Sequence, residues 1–482
     1  MQHKWKVLTI VSVAIFMGSL DLFIVNVAFP DIAAEFGGAS LSDLSWVLNA
    51  FAIVFAALLV PSGRMADRFG RKRFFVGGLV TFIVGSTLCG LAPSLEALVA
   101  ARVIQAAGVA AMAPTSLALL LPQFEPAERP TAIAVWSAAG GIAAAVGPPL
   151  GGLLVTLDWR LIFFVNIPVG LIALWFAVRT LDEARDESAT ELPDLFGTAL
   201  LITSVTALSL GLVRSNDWGW TGTATLASFA VSAITATLFV RRSSRHSSPV
   251  LDLDLFKVRS YAMANVASLF FYAAFSAGLL VMVLFLTQVW GESELTAGLW
   301  LATGPAFAAI ASVPSGKLGA RVGQGYVAAT GSFLFALATG IFALRVTTTP
   351  EPLTVMTPSW ILGGIGVGMV LPTITGTVAA ALPPARFATG SAVMTTARQV
   401  GAVIGIALLI PVLGTPDPAD PIPAFMNAWL LIIGLMLVAS VAGLLFGKVS
   451  QNAEIAPSEV LAHEVAIAPA IVVEPEPEPV HA

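Results

Sequence analysis

Pro61-Ser62-Gly63-Arg64-Met65-Ala66-Asp67-Arg68-Phe69-Gly70-Arg71 is echoed in the second half of the chain by Pro314-Ser315-Gly316-Lys317-Leu318-Gly319-Ala320-Arg321-Val322-Gly323-Gln324. Each copy follows one long apolar segment and precedes another. An apolar helix, a tight basic turn and a second apolar helix, occurring twice, indicate a membrane protein built from two related halves. Internal repeats of this kind are typical of secondary transporters, in which the substrate path lies between the halves. The repeat therefore predicts transport.

The composition excludes a soluble protein and gives no sign of an enzyme. Hydrophobic residues make up 57% of the chain and charged residues 11%, whereas soluble domains carry about 25% charged residues. A single cysteine, Cys89, excludes an internal disulfide and a multi-cysteine metal site. The four histidines (His3, His246, His463 and His481) lie outside the apolar runs, and no nucleophile with a base or pair of acids lies within them. We predict no enzymatic activity, no metal and no cofactor.

Fourteen apolar runs are long enough to cross a bilayer, which takes about 20 residues. The first contains Asp21 and has no small-residue cleavage site, so we expect a retained helix. Lys and Arg are concentrated in the connections on one side, and the other side holds only Arg160, Arg214 and Arg345. The positive-inside rule then places both termini in the cytoplasm. The predicted spans are residues 7-29, 44-63, 74-92, 95-120, 131-155, 161-180, 195-213, 220-240, 262-288, 295-316, 326-345, 357-381, 388-412 and 425-447.

The spacing of the repeat predicts an all-α polytopic membrane protein. The first copy joins spans two and three and the second joins spans ten and eleven, a shift of eight helices. Two pseudo-symmetric six-helix bundles with two inserted helices account for this shift. We expect an amino-terminal bundle at 1-180, a linker with the inserted pair at 181-259 and a second bundle at 260-447. Alternating Glu and Pro near the end predict a disordered cytoplasmic tail at 448-482.

Several motifs resemble those of the major facilitator superfamily. Gly63-Arg64-Met65-Ala66-Asp67-Arg68-Phe69-Gly70-Arg71-Lys72-Arg73 resembles that superfamily's signature between helices two and three. Leu98-Val99-Ala100-Ala101-Arg102-Val103-Ile104-Gln105-Ala106-Ala107-Gly108, in span four, is similar to its Arg-Gln-Gly motif, with Ala106 where Gly is usual. Gly147-Pro148-Pro149-Leu150-Gly151-Gly152, in span five, resembles the antiporter motif of exporters. The resemblance implies the 6+2+6 arrangement of helices.

Two further segments resemble the fourteen-helix drug:proton antiporters of this superfamily. One is Leu20-Asp21-Leu22-Phe23-Ile24-Val25-Asn26-Val27-Ala28-Phe29-Pro30 in the first span, and the other is Trp159-Arg160 followed by Phe164-Val165-Asn166-Ile167-Pro168-Val169-Gly170. The resemblance implies a bacterial cytoplasmic-membrane protein. It also implies that the motif in span five seals a path and favours export over uptake.

Two motifs predict close contacts between helices. In the first, Gly63 and Gly70 allow a tight turn, and Asp67, with Arg68 and Arg71, predicts a conformational latch; the alternative is a basic loop that only sets topology. In the second, Gly147, Gly151 and Gly152 leave a helix face nearly free of side chains, and Pro148 should bend the helix. The alternative for the second motif is a generic small-residue interface.

Three ionisable residues lie deep within spans. Charges at this depth often mark ion or substrate paths. Asp21 is the only such carboxylate, which makes it the candidate proton carrier, and Arg102 lies at a similar depth, so the two could meet. A static ion pair is the alternative. Arg398 lies near the midplane with no second acid, and a structural role and a substrate role are both open. Further polar candidates for the cavity wall, or alternatively for helix-to-helix bonds, are Asn26, Gln105, Gln399, Asn265, Gln288 and Asn427.

These features favour a proton-coupled antiporter that exports amphipathic or lipophilic compounds, with neutral or monovalent cationic drugs as the expected cargo. The alternative is a dedicated exporter of one metabolite, antibiotic, siderophore or lipid made by the cell. The antiporter motif argues against an importer. A sensor usually carries a soluble signalling domain, and the sequence shows none. The expected partners are protons, a small lipophilic substrate and the lipid bilayer. We expect a monomer that binds no nucleic acid.

Overall fold

The computed structural model describes residues 3–37, 39–125, 128–185, 192–382, 386–447 and 449. Fourteen helices in this part of the chain are long and apolar enough to cross a membrane, which confirms the predicted number. The tail predicted at 448-482 lies outside the described residues apart from Val449. In chain order, α1 to α14 are His3–Val27, Leu41–Phe69, Arg71–Gly90, Leu95–Gln123, Thr131–Val155, Leu161–Thr180, Leu195–Val213, Thr223–Ser243, Arg259–Val289, Glu294–Val322, Gln324–Arg345, Pro352–Val378, Thr389–Leu413 and Ile422–Phe446.

The predicted tight turn between Gly63 and Gly70 is wrong in its extent. Helix α2 continues to Phe69, so Gly63 is helical and only Gly70, with φ 119°, forms the turn before α3. The second copy repeats this arrangement, since α10 continues until Gly323, whose φ is 121°. Arg, Met and Ala are good helix formers, and a residue that readily takes positive φ is needed only where the chain reverses. The turn is therefore one residue in each copy.

Polar caps set the starts of several spanning helices. The Ser40 hydroxyl accepts a hydrogen bond from the Asp43 amide at 3.1 Å, and Ser94 accepts one from Ala97 at 3.2 Å. Ser293 caps α10 in the same way. These side chains satisfy amides that have no partner within the first turn of a helix. They fix the residue at which α2, α4 and α10 each begin, just before the apolar sequence.

The same helix neighbours occur in both halves of the chain. Helix α1 packs against α5, α2 against α4, and α3 against α4; eight helices later, α9 packs against α13, α10 against α12, and α11 against α12. The two sets of six meet through α5 with α10 and through α2 with α13. The inserted helix α7 packs against both α2 and α13, and α8 packs against α7. The predicted fold of two repeated six-helix groups with an inserted pair is confirmed.

The two groups share an apolar core near the end of α1. Ile24, Val25 and Phe29 belong to the same buried cluster as residues of the last six helices, while the start of α1 belongs to a separate cluster. Phe23 makes an edge-to-face contact with Phe275 of α9 at a centroid distance of 6.4 Å. The cross-group packing made by α1 therefore lies toward the end of the membrane at which α1 finishes, which we call the closed end.

Helix α5 changes its environment along its length. Val135 and Ile142 in its first half are exposed, whereas Gly147 and Gly151 in its second half are buried. A largely apolar cavity of about 590 Å³ lies between the first halves of α1 and α5. The two groups are thus packed together along α5 only toward the closed end, and α1 and α5 leave an open apolar groove at the opposite end.

Candidate functional site

Asp21 and Arg102, predicted at similar depths, are in direct contact. Asp21 lies on α1 and Arg102 on α4, and neither side chain is exposed. Arg102 Nη1 donates a hydrogen bond to Asp21 Oδ2. Gln105, one turn after Arg102 on the same face of α4, donates from Nε2 to Asp21 Oδ1 at 2.7 Å. The spacing of Arg102 and Gln105 along a helix therefore lets one helix bind both oxygens of the carboxylate.

Two residues that the sequence did not single out complete this cluster. Ser86 on α3 accepts a hydrogen bond from Gln105 Nε2 at 2.8 Å. Asn166 on α6 directs its amide toward Ser86 Oγ at 3.4 Å and Asp21 Oδ1 at 3.5 Å. The buried thiol of Cys89 lies 3.7 Å from Gln105 Oε1. Asn166 stands in one of the family-like segments, which was the available signal; Ser86 carried none.

Arg102 is held from several further directions. Its Nη1 also donates to Gln105 Oε1 at 2.6 Å, and its Nε donates to the Val47 carbonyl oxygen at 3.1 Å. The guanidinium lies 4.2 Å from the ring centroid of Phe51 and 5.8 Å from that of Phe163. Nη2 is buried without a hydrogen-bond partner among the described residues. The arrangement fixes the cation beside the acid in a position that water does not reach.

The chemistry available to this cluster follows from the low dielectric around it. A buried ion pair is held together because neither charge can be solvated, and removal of one partner leaves the other uncompensated. Protonation of Asp21 would neutralise the acid and leave Arg102 without a counter-ion. A change of protonation at this one carboxylate can therefore alter the contacts between α1 and α4.

Arg398 lies apart from this cluster, on α13. It is half-buried, and its Nη2 donates to Thr375 Oγ1 on α12 at 2.8 Å. Its guanidinium carbon lies 5.4 Å from the ring centroid of Tyr272 on α9. Its Nε is buried without a hydrogen-bond partner among the described residues. Its Nη2 also lies 3.9 Å from the sulfur of Met394 on α13, so its contacts among the described residues come from three helices of the last six and include no acid.

The other polar candidates do not converge on one place. Asn26 and Asn265 are buried and donate to carbonyl oxygens of their own helices, Leu22 O at 2.8 Å and Tyr261 O at 2.9 Å. Gln399 is half-buried on α13 beside Arg398 in the chain. The remaining two are exposed near helix ends, namely Gln288 and Asn427.

The predicted latch residues make contacts within the first six helices. Arg71 Nε donates to Asp67 Oδ1 at 2.8 Å, and Arg71 Nη1 donates to the Ala118 carbonyl oxygen on α4 at 3.4 Å. Arg68 lies over the ring of Phe69, with its guanidinium carbon 5.3 Å from the centroid. Asp67 and Arg71 therefore connect the end of α2 and the start of α3 to the end of α4.

The glycines of this motif lie where neighbours approach closely. A Cβ at Gly70 would lie 2.7 Å from Glu183 Oε1, and that same oxygen accepts a hydrogen bond from the Lys72 amide at 3.0 Å. A Cβ at Gly63 would lie 3.3 Å from Pro114 Cβ on α4. The segment after α6 thus docks onto the turn at Gly70.

The antiporter-like motif in α5 packs against a helix from each half of the chain. A Cβ at Gly147 would lie 2.7 Å from Phe23 Cβ, and one at Gly151 would lie 2.9 Å from Ile24 Cγ1, both on α1. On the other side, a Cβ at Gly152 would lie 2.4 Å from the Glu294 carbonyl oxygen of α10. A Cβ at Gly298 of α10 would lie 2.2 Å from the Pro148 carbonyl oxygen. The contacts of Gly152 with Glu294 and of Gly298 with Pro148 are called the α5–α10 seam below.

Comparisons with known proteins agree with this geometry. The family model described as Major Facilitator Superfamily matches residues 11–264 and again residues 264–474. The chain is 34% identical over 411 residues to multidrug resistance protein Stp of Mycobacterium tuberculosis, covering 84% of this chain and 76% of Stp. It is 31% identical over 408 residues to the tetracenomycin C resistance and export protein of Streptomyces glaucescens, covering 84% of this chain and 75% of that protein.

Solved structures support the fold at low sequence identity. A crystal structure of a POT family transporter in complex with a thioalcohol conjugated peptide superimposes with a TM-score of 0.68 at 14% identity, covering 91% of this chain and 95% of that chain. At this identity the likeness concerns the fold alone. The two consecutive family matches coincide with the repeat of helix neighbours across the two halves. The chain belongs to the major facilitator superfamily, and its predicted membership of the fourteen-helix drug:proton antiporters is confirmed.

Proposed function

We propose that this multi-pass membrane protein is a proton-coupled antiporter that exports lipophilic or amphipathic organic compounds across the cytoplasmic membrane of a bacterium. The observation that carries the proposal is Asp21, the one carboxylate deep within a span, buried in contact with Arg102. Its relatives include a multidrug resistance protein and an antibiotic export protein. The chain's own cluster offers a proton-accepting acid rather than a set of catalytic groups.

The proposed cycle couples the charge of Asp21 to the packing of the two groups of helices. A proton on Asp21 releases Arg102 from its counter-ion, and the resulting uncompensated cation favours a different arrangement of α1 and α4. Because α1 also packs against α5, movement of α1 bears on the α5–α10 seam. Binding of cargo and of a proton would then favour opposite conformations, which is the requirement for exchange.

We also propose the topology and the domain division. The excess of Lys and Arg on one side supports cytoplasmic termini, and the cavity between the first halves of α1 and α5 then opens toward the cytoplasm. The repeated helix neighbours support bundles at 1-180 and 260-447, joined by 181-259. We propose a monomer, with the proton gradient as the driving force and no cofactor.

Transport by reconstituted vesicles tests the proposal. The protein is reconstituted with an imposed pH gradient, and the movement of a panel of lipophilic dyes is followed together with the movement of protons. Wild type should move dye and protons in opposite directions, and Asp21→Asn should reduce gradient-driven transport to the background of empty vesicles. The matched control is Asp254→Asn, which makes the same chemical change in an exposed connection. Normal proton-driven transport by Asp21→Asn would overturn the assignment.

A second candidate is a dedicated exporter of one product of the cell. The similarity to the tetracenomycin C resistance and export protein favours it, because the identity is close to that with the multidrug protein. Deletion of the gene separates the two candidates. Sensitivity to many unrelated drugs supports a multidrug exporter, whereas the loss of one secreted compound with unchanged drug sensitivity supports a dedicated exporter.

A further inference from the structure

Arg398 is a cation deep within the membrane. It lies nine residues after the start of α13 at Thr389, which corresponds to roughly 13 Å along the helix axis. The side chain is half-buried, and its Nη2 donates to two uncharged groups, Thr375 Oγ1 and the thioether sulfur of Met394 on its own helix. Its buried Nε has no hydrogen-bond partner among the described residues. An arginine in such a position ordinarily pairs with an acid or with carbonyl oxygens.

No acid lies against Arg398 among the residues that the structure describes. Asp21 is the only carboxylate away from the ends of the spans, and its oxygens already accept hydrogen bonds from Arg102 and Gln105. The positive charge of Arg398 is therefore unbalanced in the part of the chain that the structure describes. A bound anion would balance this charge.

Aromatic rings continue from Arg398 toward the other half of the protein. Tyr272, which faces the guanidinium, lies 6.3 Å between ring centroids from Phe275. Phe275 in turn contacts Phe23 of α1 at 6.4 Å, across the boundary between the two groups of helices. An aromatic molecule can stack on these rings while it reaches the arginine.

There is also open space around Thr375, the hydrogen-bond partner of Arg398. A Cβ built at Gly376, the neighbour of Thr375, would meet nothing within 4 Å, and Thr375 itself is exposed although it lies within α12. Thr375 occupies Nη2 and Nε is buried, which leaves Nη1 to contact a ligand. A carboxylate is the group best suited to a guanidinium, since its oxygens accept charge-assisted hydrogen bonds.

We propose that Arg398, with Tyr272 and Phe275, forms a binding site for an aromatic organic anion, whose carboxylate or phenolate contacts Arg398 and whose rings pack on the two aromatic side chains. The site rests on the proposed transport function and narrows its cargo to lipophilic anions, in place of the cations expected from the sequence. An unpaired arginine repels a cationic drug and attracts an anionic one, so charge decides which compounds bind.

Three pyrene probes of one size and different charge test the site. The purified full chain in lipid nanodiscs is titrated with 1-pyrenebutyrate, 1-pyrenebutanol and 1-pyrenebutylamine. Wild type should bind the butyrate about tenfold more tightly than the amine, the ratio expected from one charge-assisted hydrogen bond. Arg398→Gln should bring this ratio to about one, and Arg398→Lys should retain part of it because the charge remains. The matched control is Arg345→Gln, which removes an exposed cation at the end of α11 and should keep the wild-type ratio.

A second variant keeps the test decisive if Arg398→Gln does not fold. Thr375→Asp places a carboxylate beside Arg398 and should abolish the preference for the butyrate by occupying the guanidinium. Equal binding of butyrate and amine to wild type overturns the site, as does a preference that survives both variants. Proton-coupled transport of cations without any preference for anions would leave the proposed function standing and reject this site. Preference for the butyrate without proton-coupled transport would support this site and reject the proposed function.

Discussion

Gly152 of α5 lies against the main chain of Glu294 at the start of α10, so close that a Cβ atom on Gly152 would come within 2.4 Å of the Glu294 carbonyl oxygen. The contact joins the two halves of the protein at the closed end. Backbone atoms cannot withdraw as a flexible side chain can, so even a methyl group has to push the two helices apart.

Gly152→Ala should therefore open the α5–α10 seam. A cysteine introduced at Leu295 reports on it, since the native Cys89 is buried. We expect a membrane-impermeant maleimide to label this cysteine several-fold faster in Gly152→Ala than in the parent. Gly141→Ala is the control, because a Cβ at Gly141 on the same helix would meet nothing within 4 Å. Equal labelling of the two alanine variants would show that the seam does not depend on this contact.

The buried pair of Asp21 and Arg102 should show strong coupling in stability. Arg102→Gln leaves the acid buried without its cation, and the removal of one partner from a buried ion pair typically costs about 3–5 kcal/mol. The double variant Asp21→Asn/Arg102→Gln removes both charges, so we expect it to melt at a higher temperature than Arg102→Gln. Thermal unfolding in detergent, as a double-mutant cycle, measures this. Additive effects of the two single variants would contradict a direct interaction.

Asp194 should make the inserted helices sensitive to acid. It accepts a hydrogen bond from the Gly197 amide at the start of α7 and pairs with Arg242 near the end of α8 at 2.7 Å. Burial acts to raise the pKa of Asp194, but the Gly197 amide and Arg242 outweigh it and hold the pKa below the ordinary 3.8. A lowered pKa means that the stabilisation is present above pH 3.8 and is lost as the pH falls through the lowered value.

Asp194→Asn should accordingly lower the melting temperature at neutral pH, and the difference from wild type should shrink under acid. Asparagine can still cap α7 through its side-chain oxygen, so the effect comes from the loss of the charged pair with Arg242. Arg242→Gln should give the same trend, because it removes the other partner. Melting curves recorded from neutral pH down past 3.8 test both variants. A difference that does not change with pH would exclude the ionised carboxylate as its cause.

Asp31, in the short helix Phe29–Glu35 after α1, should respond to pH in the opposite sense. Burial and then the nearby charge of Glu294 raise the pKa of Asp31 above the ordinary 3.8. Protonated Asp31 therefore favours the closed end, and this contribution is lost as the pH rises through the raised value. Labelling of the Leu295 cysteine should become faster with rising pH on that side of the membrane. In Asp31→Asn, the labelling corrected for the reagent's own pH dependence should stay constant.

The sequence predicted well where each helix spans the membrane, but poorly which neighbours each side chain faces. Length and hydropathy determine where a helix crosses and how deep a residue lies, which is why Asp21 and Arg102 could be expected to meet. The face on which a residue lies also depends on how each helix packs. Asn26 follows Asp21 by five residues, which turns it by about 140° around the helix, so it bonds to Leu22 on its own helix instead of joining the cluster. Ser86 and Asn166 lie on two other helices, and nothing in the spacing along the chain brings them together.

The extent of the basic motif was missed for a local reason. Hydropathy falls sharply at Arg64, and the predicted span ended there, but backbone hydrogen bonding continues into the aqueous layer until Gly70. For Arg398, depth was predictable and surroundings were not, because Thr375 and Tyr272 come from helices that are distant in the chain.

Complete enclosure of Asp21 has a consequence for the resting cell. Its side chain has 0% exposure, so solvent on neither face of the membrane reaches the carboxylate in this conformation. A proton-binding site that opened to both faces at once would let protons cross the membrane and dissipate the proton gradient without transport of cargo. The closely packed side chains around this acid therefore prevent a proton leak through the protein when it is not transporting.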